Sequence, residues 1–192
     1  LTGPSRHLSN ISQTHSRLAT ACHFLGEHRE SDRRLYEAEF SASQIRNDFD
    51  RTDAYRTLAS AYLACGNEEK AQEIATMGIG PSLRHSITYP AMTLLMVLVE
   101  IAVLRGDARA VTFYLREAEL LAQSGALLPR RDLLLFHYHS YRSDDHVGDR
   151  TAHREAAEAG LHQEIEAVGE GRLESLLQIR SIDRVYRDIG QP

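Results

Sequence analysis

The sequence predicts an all-α fold built from about four helical hairpins and a C-terminal helix. Three observations point there. Apolar residues recur at spacings of three and four through most of the 192 residues, no stretch alternates in the manner of a strand, and a Gly-acid or Gly-amide step recurs at a near-constant interval. The steps are Gly26-Glu27, Gly66-Asn67 and Gly106-Asp107, forty residues apart, with Gly148-Asp149 forty-two residues further on. Glycine tolerates the left-handed conformation that ends a helix, and an Asn or Asp after it caps the next one, so each step reads as the tight turn of a hairpin. Leu, Ala, Glu and Arg dominate and only 5 prolines are present, which favours helix.

The hairpins are expected at about 5–49, 50–80, 82–124 and 127–168, with the terminal helix at 171–189, all in one domain. In the first, Leu8, Ile11, His15, Leu18, Cys22 and Leu25 form one helical face, and Leu35, Ala38, Ala42, Ile45 and Phe49 form the face of its partner. In the second, Tyr55, Leu58, Tyr62 and Cys65 lead into Gly66, and Ala71, Ile74, Ala75 and Gly78 follow it. The run from Gly78 to Ser82 predicts a helix stop, with a new start near Pro90. Ala91 to Leu104 is apolar nearly all round, so this helix is expected to be central and buried on most sides. Ala110, Tyr114, Ala118 and Leu121 make its partner's face. After Ser124-Gly125 and Pro129 come Leu134, His137, Tyr138 and Tyr141, and then Ala152, Ala156, Leu161 and Ile165. Gly169-Glu170-Gly171 sets off the last helix. Its Leu173, Leu176 and Leu177 lie on one side, while Ile182, Val185, Tyr186 and Ile189 lie roughly opposite. Two apolar faces in succession require two surfaces to contact: the first half is expected to cap the array, the second to meet another chain or domain.

Composition excludes several classes of function. Apolar residues are 42% and charged residues 26%, so the chain is neither disordered nor collagen-like. A formal charge of −5 gives no global basic field for nucleic acid, and Arg29, Arg33 and Arg34 are interspersed with Glu27, Glu30, Asp32, Glu37 and Glu39 as on a salt-laced helix face. Two cysteines, Cys22 and Cys65, are too few for a disulfide scaffold and suit a reducing, cytoplasmic setting. The apolar stretch from Ala91 is broken by Glu100 and is too short to cross a bilayer. Ten histidines invite a metal, but there is no HExxH and no CxxC, and His137 and His139 point about 160° apart on a helix. His146 and His153 with Asp144, Asp145 and Asp149 are the one cluster of ligand types within mutual reach; a solvated polar turn accounts for it, and no metal or cofactor is expected. His15 and His137 lie on apolar stripes and are expected as hydrogen-bonded core residues. No P-loop, GxSxG or phosphate cradle is present, and no catalytic residue is assigned. The first residue is Leu rather than Met, which suggests a piece of a longer protein.

The segment 52–79 places Tyr55, Leu58, Ala59, Tyr62, Gly66, Ala71 and Gly78 in order, with Asn67-Glu68-Glu69-Lys70 after the turn. In this pattern it resembles a tetratricopeptide repeat, Ala59 and Ala71 being the points where two helices touch. Leu18, Ala19 and Cys22, then Leu95, Leu98, Gly106 and Ala118, and finally Tyr141, are weaker echoes. The period exceeds the family's roughly 34 residues, so the resemblance is to a divergent array with longer helices or connections.

The resemblance implies that the first helix of each hairpin lines a concave groove that takes an extended peptide or partner helix. On this sequence the groove positions are Gln13, Ser16, Thr20 and His23, then Asp53, Arg56, Ser60 and Leu63, then Thr93, Met96 and Glu100, and last Leu135, His139 and Arg142. Arg56 and Arg142 are expected to clamp a carboxylate. Glu100, a charge among Leu98, Val99, Ile101 and Val103, reads either as an acid paired with a neighbouring hairpin's Arg or as a groove acid for a ligand amine. The chain is thus expected to be a sensor-type regulatory module, of the kind bacterial cytoplasmic regulators carry before an output domain. The alternative is a passive scaffold or homodimerisation module that uses Ile182, Val185, Tyr186 and Ile189.

Overall fold

The computed structural model describes residues 3–124, 128–143, 149–169 and 180–190. Among them are nine α-helices and no strand: α1 Pro4–Phe24, α2 His28–Ser43, α3 Asp48–Ala64, α4 Glu68–Arg84, α5 Thr88–Leu104, α6 Ala108–Gln123, α7 Arg130–Arg142, α8 Arg150–Val168 and α9 Arg180–Ile189. The architecture is all-α and made of antiparallel neighbours joined by tight turns, as the spacing of the glycines predicts. The chain divides into two compact units, Leu1–Ile101 and Ala102–Pro192.

The turns share one geometry. Gly26, Gly66 and Gly106 hold φ of 79°, 79° and 69°. The next residue's N–H reaches back five positions, from Glu27 to the Cys22 carbonyl (2.8 Å), from Asn67 to Tyr62 (2.9 Å) and from Asp107 to Ala102 (2.9 Å), so orphan carbonyls at each helix end are satisfied. The side chains of Asn67 and Asp107 then accept from the Lys70 and Ala110 N–H groups and cap α4 and α6. The turn at Gly148 lies outside the described residues.

In the first unit α1 packs against α2 and α3, and α3 packs against α4, with α2 also meeting α3. Ala59 and Ala71 are fully buried, as close-contact points require, and Tyr55, Leu58 and Tyr62 surround them. Three expectations are corrected here. The buried side of α1 is Ser9, Ser12, Ser16 and Ala19, not the Leu8-to-Leu25 stripe, and Leu25 is 75% exposed. Small residues let α1 and α2 approach until Ser12 Oγ donates to the Ala38 carbonyl and Ser31 Oγ to that of Ala19, both at 2.9 Å. Phe49 belongs to the first turn of α3 and is exposed. Finally, α4 does not stop at Gly78–Ser82 but runs to Arg84 with Pro81 inside it. Ser82 Oγ donates to the Gly78 carbonyl (2.8 Å) in this turn. Gly78 serves packing instead of termination, because a Cβ there would lie 2.8 Å from Leu94 Cδ1 and 3.2 Å from Tyr55 Cβ.

Of α5, Ala91, Met92 and every residue from Leu94 to Ala102 are buried, as its continuous apolar run predicts. In the second unit α7 packs against α8 and also meets α6, and α9 lies against α7 and α8. Leu134, Tyr138, Leu161, Ile182 and Val185 form the buried centre. Residues 170–179, including Leu173, Leu176 and Leu177, lie outside the described set.

Candidate functional site

The polar side of α1 and α3 in the first unit is where the expected site residues converge. Helices three and four residues per step present Arg6 and Gln13 on one face of α1, and Asp50, Asp53 and Arg56 on one face of α3. Asp53 gathers them. Its Oδ2 accepts from Gln13 Nε2 (2.8 Å) and Arg6 Nη1 (3.2 Å), and its Oδ1 accepts from Arg56 Nη2 (2.8 Å) and Nε (3.1 Å). Arg6 also lies 3.6 Å from Asp50. The Arg56 guanidinium sits over the Tyr89 ring, 5.1 Å from its centroid, at the start of α5. Gln13 and Asp53 are forty residues apart, so this contact joins equivalent positions of successive hairpins.

One turn further along, Ser60 Oγ donates to the Arg56 carbonyl (3.0 Å) and Thr20 Oγ1 to that of Ser16 (3.2 Å). Both hydroxyls fold back onto their own helices and leave half-buried, sterically small positions. His23 stacks edge-on with His28, ring centroids 5.1 Å apart. Asp53 and Arg56, from the predicted strip, are thus brought together. Arg6, Asp50 and Tyr89 were not read from the sequence; Arg6 precedes Gln13 by seven residues and Tyr89 follows Phe49 by forty, and these offsets are the signal for them.

The other expected groove residues lie elsewhere. Met96 and Glu100 are buried, Glu100 with 7% exposure, so neither offers an open side chain. His139 is buried as well. Arg142 is exposed, and its Nη1 donates to Asp188 Oδ2 (3.0 Å) on α9. Both arginines expected to clamp a ligand carboxylate therefore already hold a carboxylate of the chain. Ile182 and Val185, expected at an interface, are fully buried, and Tyr186 and Ile189 are half-buried.

Two other polar groupings stand out. Tyr62 Oη donates to Glu39 Oε2 (2.5 Å), and Lys70 Nζ meets Glu39 Oε1 (3.1 Å); burial and the carboxylate together hold the Tyr62 phenol well above its ordinary range. In the second unit His137 Nδ1 lies 2.8 Å from His153 Nδ1. Burial, with a smaller contribution from His153, lowers the His137 pKa to about 4. Asp144, Asp145 and His146 lie outside the described residues, and no group of three or more metal-binding side chains occurs among those described. Burial pushes the Cys65 thiol up, so it stays protonated at neutral pH. No described helix is long and apolar enough to cross a membrane.

These features define a class, a helical-hairpin protein with a polar inter-hairpin strip in its first unit. A scan against protein-family models finds no match for the chain, and searches of curated proteins and of solved structures find none either.

Proposed function

We propose that the chain is a divergent tetratricopeptide-like module that binds an extended peptide or a partner helix along the shared face of α1 and α3. The observation that carries the reading is the Gln13–Asp53 hydrogen bond, which aligns equivalent positions of successive first helices. Repetition at that register produces a continuous strip on which a partner's backbone can lie. Asp53 orders the strip by holding Gln13, Arg6 and Arg56, Tyr89 supplies an exposed ring, and Thr20 and Ser60 give the shallow relief beside them. The role is recognition by a regulatory segment, and the formal charge of −5 favours a peptide or helix over nucleic acid as the partner.

The test is a random-peptide display selection on the full chain, followed by direct affinity measurement of the enriched peptide. The double variant Thr20→Arg/Ser60→Arg fills the strip with two long side chains and is checked for native helicity. Binding is expected to weaken by about tenfold or more. Failure to enrich any sequence, or equal affinity for the variant, overturns the reading.

A further inference from the structure

We propose that His137 and His153 form a proton-responsive clasp between α7 and α8, closed while the pair carries at most one extra proton and opened when both rings are charged. The two Nδ1 atoms are 2.8 Å apart, with ring centroids at 5.1 Å and an interplanar angle of 42°. At that separation one Nδ1 must donate and the other accept, because two N–H groups cannot share the space. The neutral pair therefore contains one Nδ1–H tautomer, and a singly protonated pair keeps the bond. A doubly protonated pair loses the acceptor and places two cations in contact.

The surroundings leave little to neutralise a second charge. Phe136 lies beside both rings, its centroid 5.1 Å from that of His137 and 5.5 Å, edge-on, from that of His153, and both histidines are half-buried. Along α8, Asp149 is engaged in capping by Thr151 N–H (2.9 Å), Arg150 lies over the Tyr141 ring (5.3 Å) and Arg154 is held by Glu158 (2.8 Å). On α9, Asp188 is taken by Tyr138 Oη (2.6 Å) and Arg142. The buried side of α6 offers Leu115 and Ala118. The charge that most affects His137 is that of His153 itself, which opposes its protonation.

The sign follows. The folded state keeps His137 neutral to about pH 4, whereas an unfolded His takes its proton near pH 6.5. The clasp's stabilisation is complete above the unfolded value and falls away as pH drops from about 6.5 towards 4. Since α9 lies on both α7 and α8, opening the clasp removes its platform.

Nitrogen-15 NMR of the full chain at pH 7.5 reads the imidazole tautomers directly, and a titration to about pH 3 follows their midpoints. One of the two histidines is expected in the Nδ1–H form, and His137 is expected to titrate well below exposed His7 and His162. Urea unfolding at pH 7 and pH 5 gives a second readout. The wild-type folding constant should fall roughly tenfold more over that interval than that of His137→Gln, whose amide does not titrate. Two ordinary Nε2–H tautomers, or His137 titrating with the exposed histidines, overturn the proposal from wild-type spectra alone. Equal pH dependence of the wild type and a folded His137→Gln variant overturns it independently.

Discussion

Ser86 holds φ at 53° where α4 ends, the region that Gly26, Gly66 and Gly106 occupy at the other turns. The Ile87 N–H still reaches the Ser82 carbonyl at 2.8 Å, so the hydrogen bonding is complete and the strain lies in the Cβ alone. Ser86→Gly should relieve it and raise stability by about 0.5–1 kcal/mol after the added unfolded-state entropy of glycine is subtracted, while Gly66→Ala should cost about 1 kcal/mol; urea midpoints with unchanged slopes check both. At Gly78 the balance reverses. Helix propensity favours Ala there by up to about 1 kcal/mol. The added Cβ would sit 2.8 Å from Leu94 Cδ1, which can rotate away, and 3.2 Å from Tyr55 Cβ, which cannot without moving its backbone. Gly78→Ala should therefore destabilise by about 1–2 kcal/mol net, and a gain in thermal midpoint would show that the contact yields.

The pairing of α1 with α2 is governed by small residues, which explains both its closeness and its poor legibility. Ser9, Ser12 and Ser16 are spaced at three and four along α1, as apolar core positions would be, but a hydropathy reading assigns the interior to Leu8, Leu18 and Leu25 instead. Serine is buried here because its hydroxyl has a partner: Ser12 and Ser16 donate to carbonyls of the neighbouring helix and the preceding turn, and Ser9 accepts from Gln13 Nε2, partners that no sequence pattern discloses. The two assignments give opposite outcomes. Ser12→Leu should cost about 2–3 kcal/mol by forcing the helices apart, and Leu18→Ser should change stability by less than about 0.5 kcal/mol. A second element-level case is α9, which its sequence offers to another chain but which buries Ile182 and Val185 in its own. Tyr138 and Arg142 converge on Asp188 at its end, and Gly190 comes so near Leu161 that a Cβ would be 2.6 Å from Cδ2. Asp188→Asn removes the charged acceptor from Tyr138 while the exposed Arg142 pair adds little, so α9 should loosen by about 1–2 kcal/mol. Amide exchange should accelerate in α9 and remain unchanged in α1 to α4.

Over the whole molecule, legibility followed the reach of each physical cause. The glycine turns were readable because a positive φ is a property of one residue, and the shared face of Asp53 and Arg56 because they lie three residues apart on one helix. Pro81 misled because its missing N–H is tolerated inside α4, and Met96, Glu100 and His139 because periodicity cannot tell an inner face from a covered one. His137 was readable as hydrogen-bonded but is half-buried rather than a core residue, and its partner His153 lies sixteen residues away on another helix. Helix α5 is the case in which composition and burial agree most fully. Leu94, Leu95, Met96, Val97, Leu98 and Val99 are all buried in succession, so no side of that stretch is left for solvent. A carboxylate placed there has neither water nor an opposite charge supplied with it, and it must either stay neutral at a raised pKa or pull the helix open. Leu95→Asp is therefore expected to cost more than about 4 kcal/mol and abolish cooperative unfolding at neutral pH, with partial recovery on acidification as the new carboxyl protonates. Met77→Lys, at an exposed apolar position on α4, is expected to stay within about 0.5 kcal/mol of wild type. Circular dichroism melts of the two variants across pH 5 to 8 separate these outcomes, and a Leu95→Asp chain that melts like wild type would show that α5 is not the core the fold makes it.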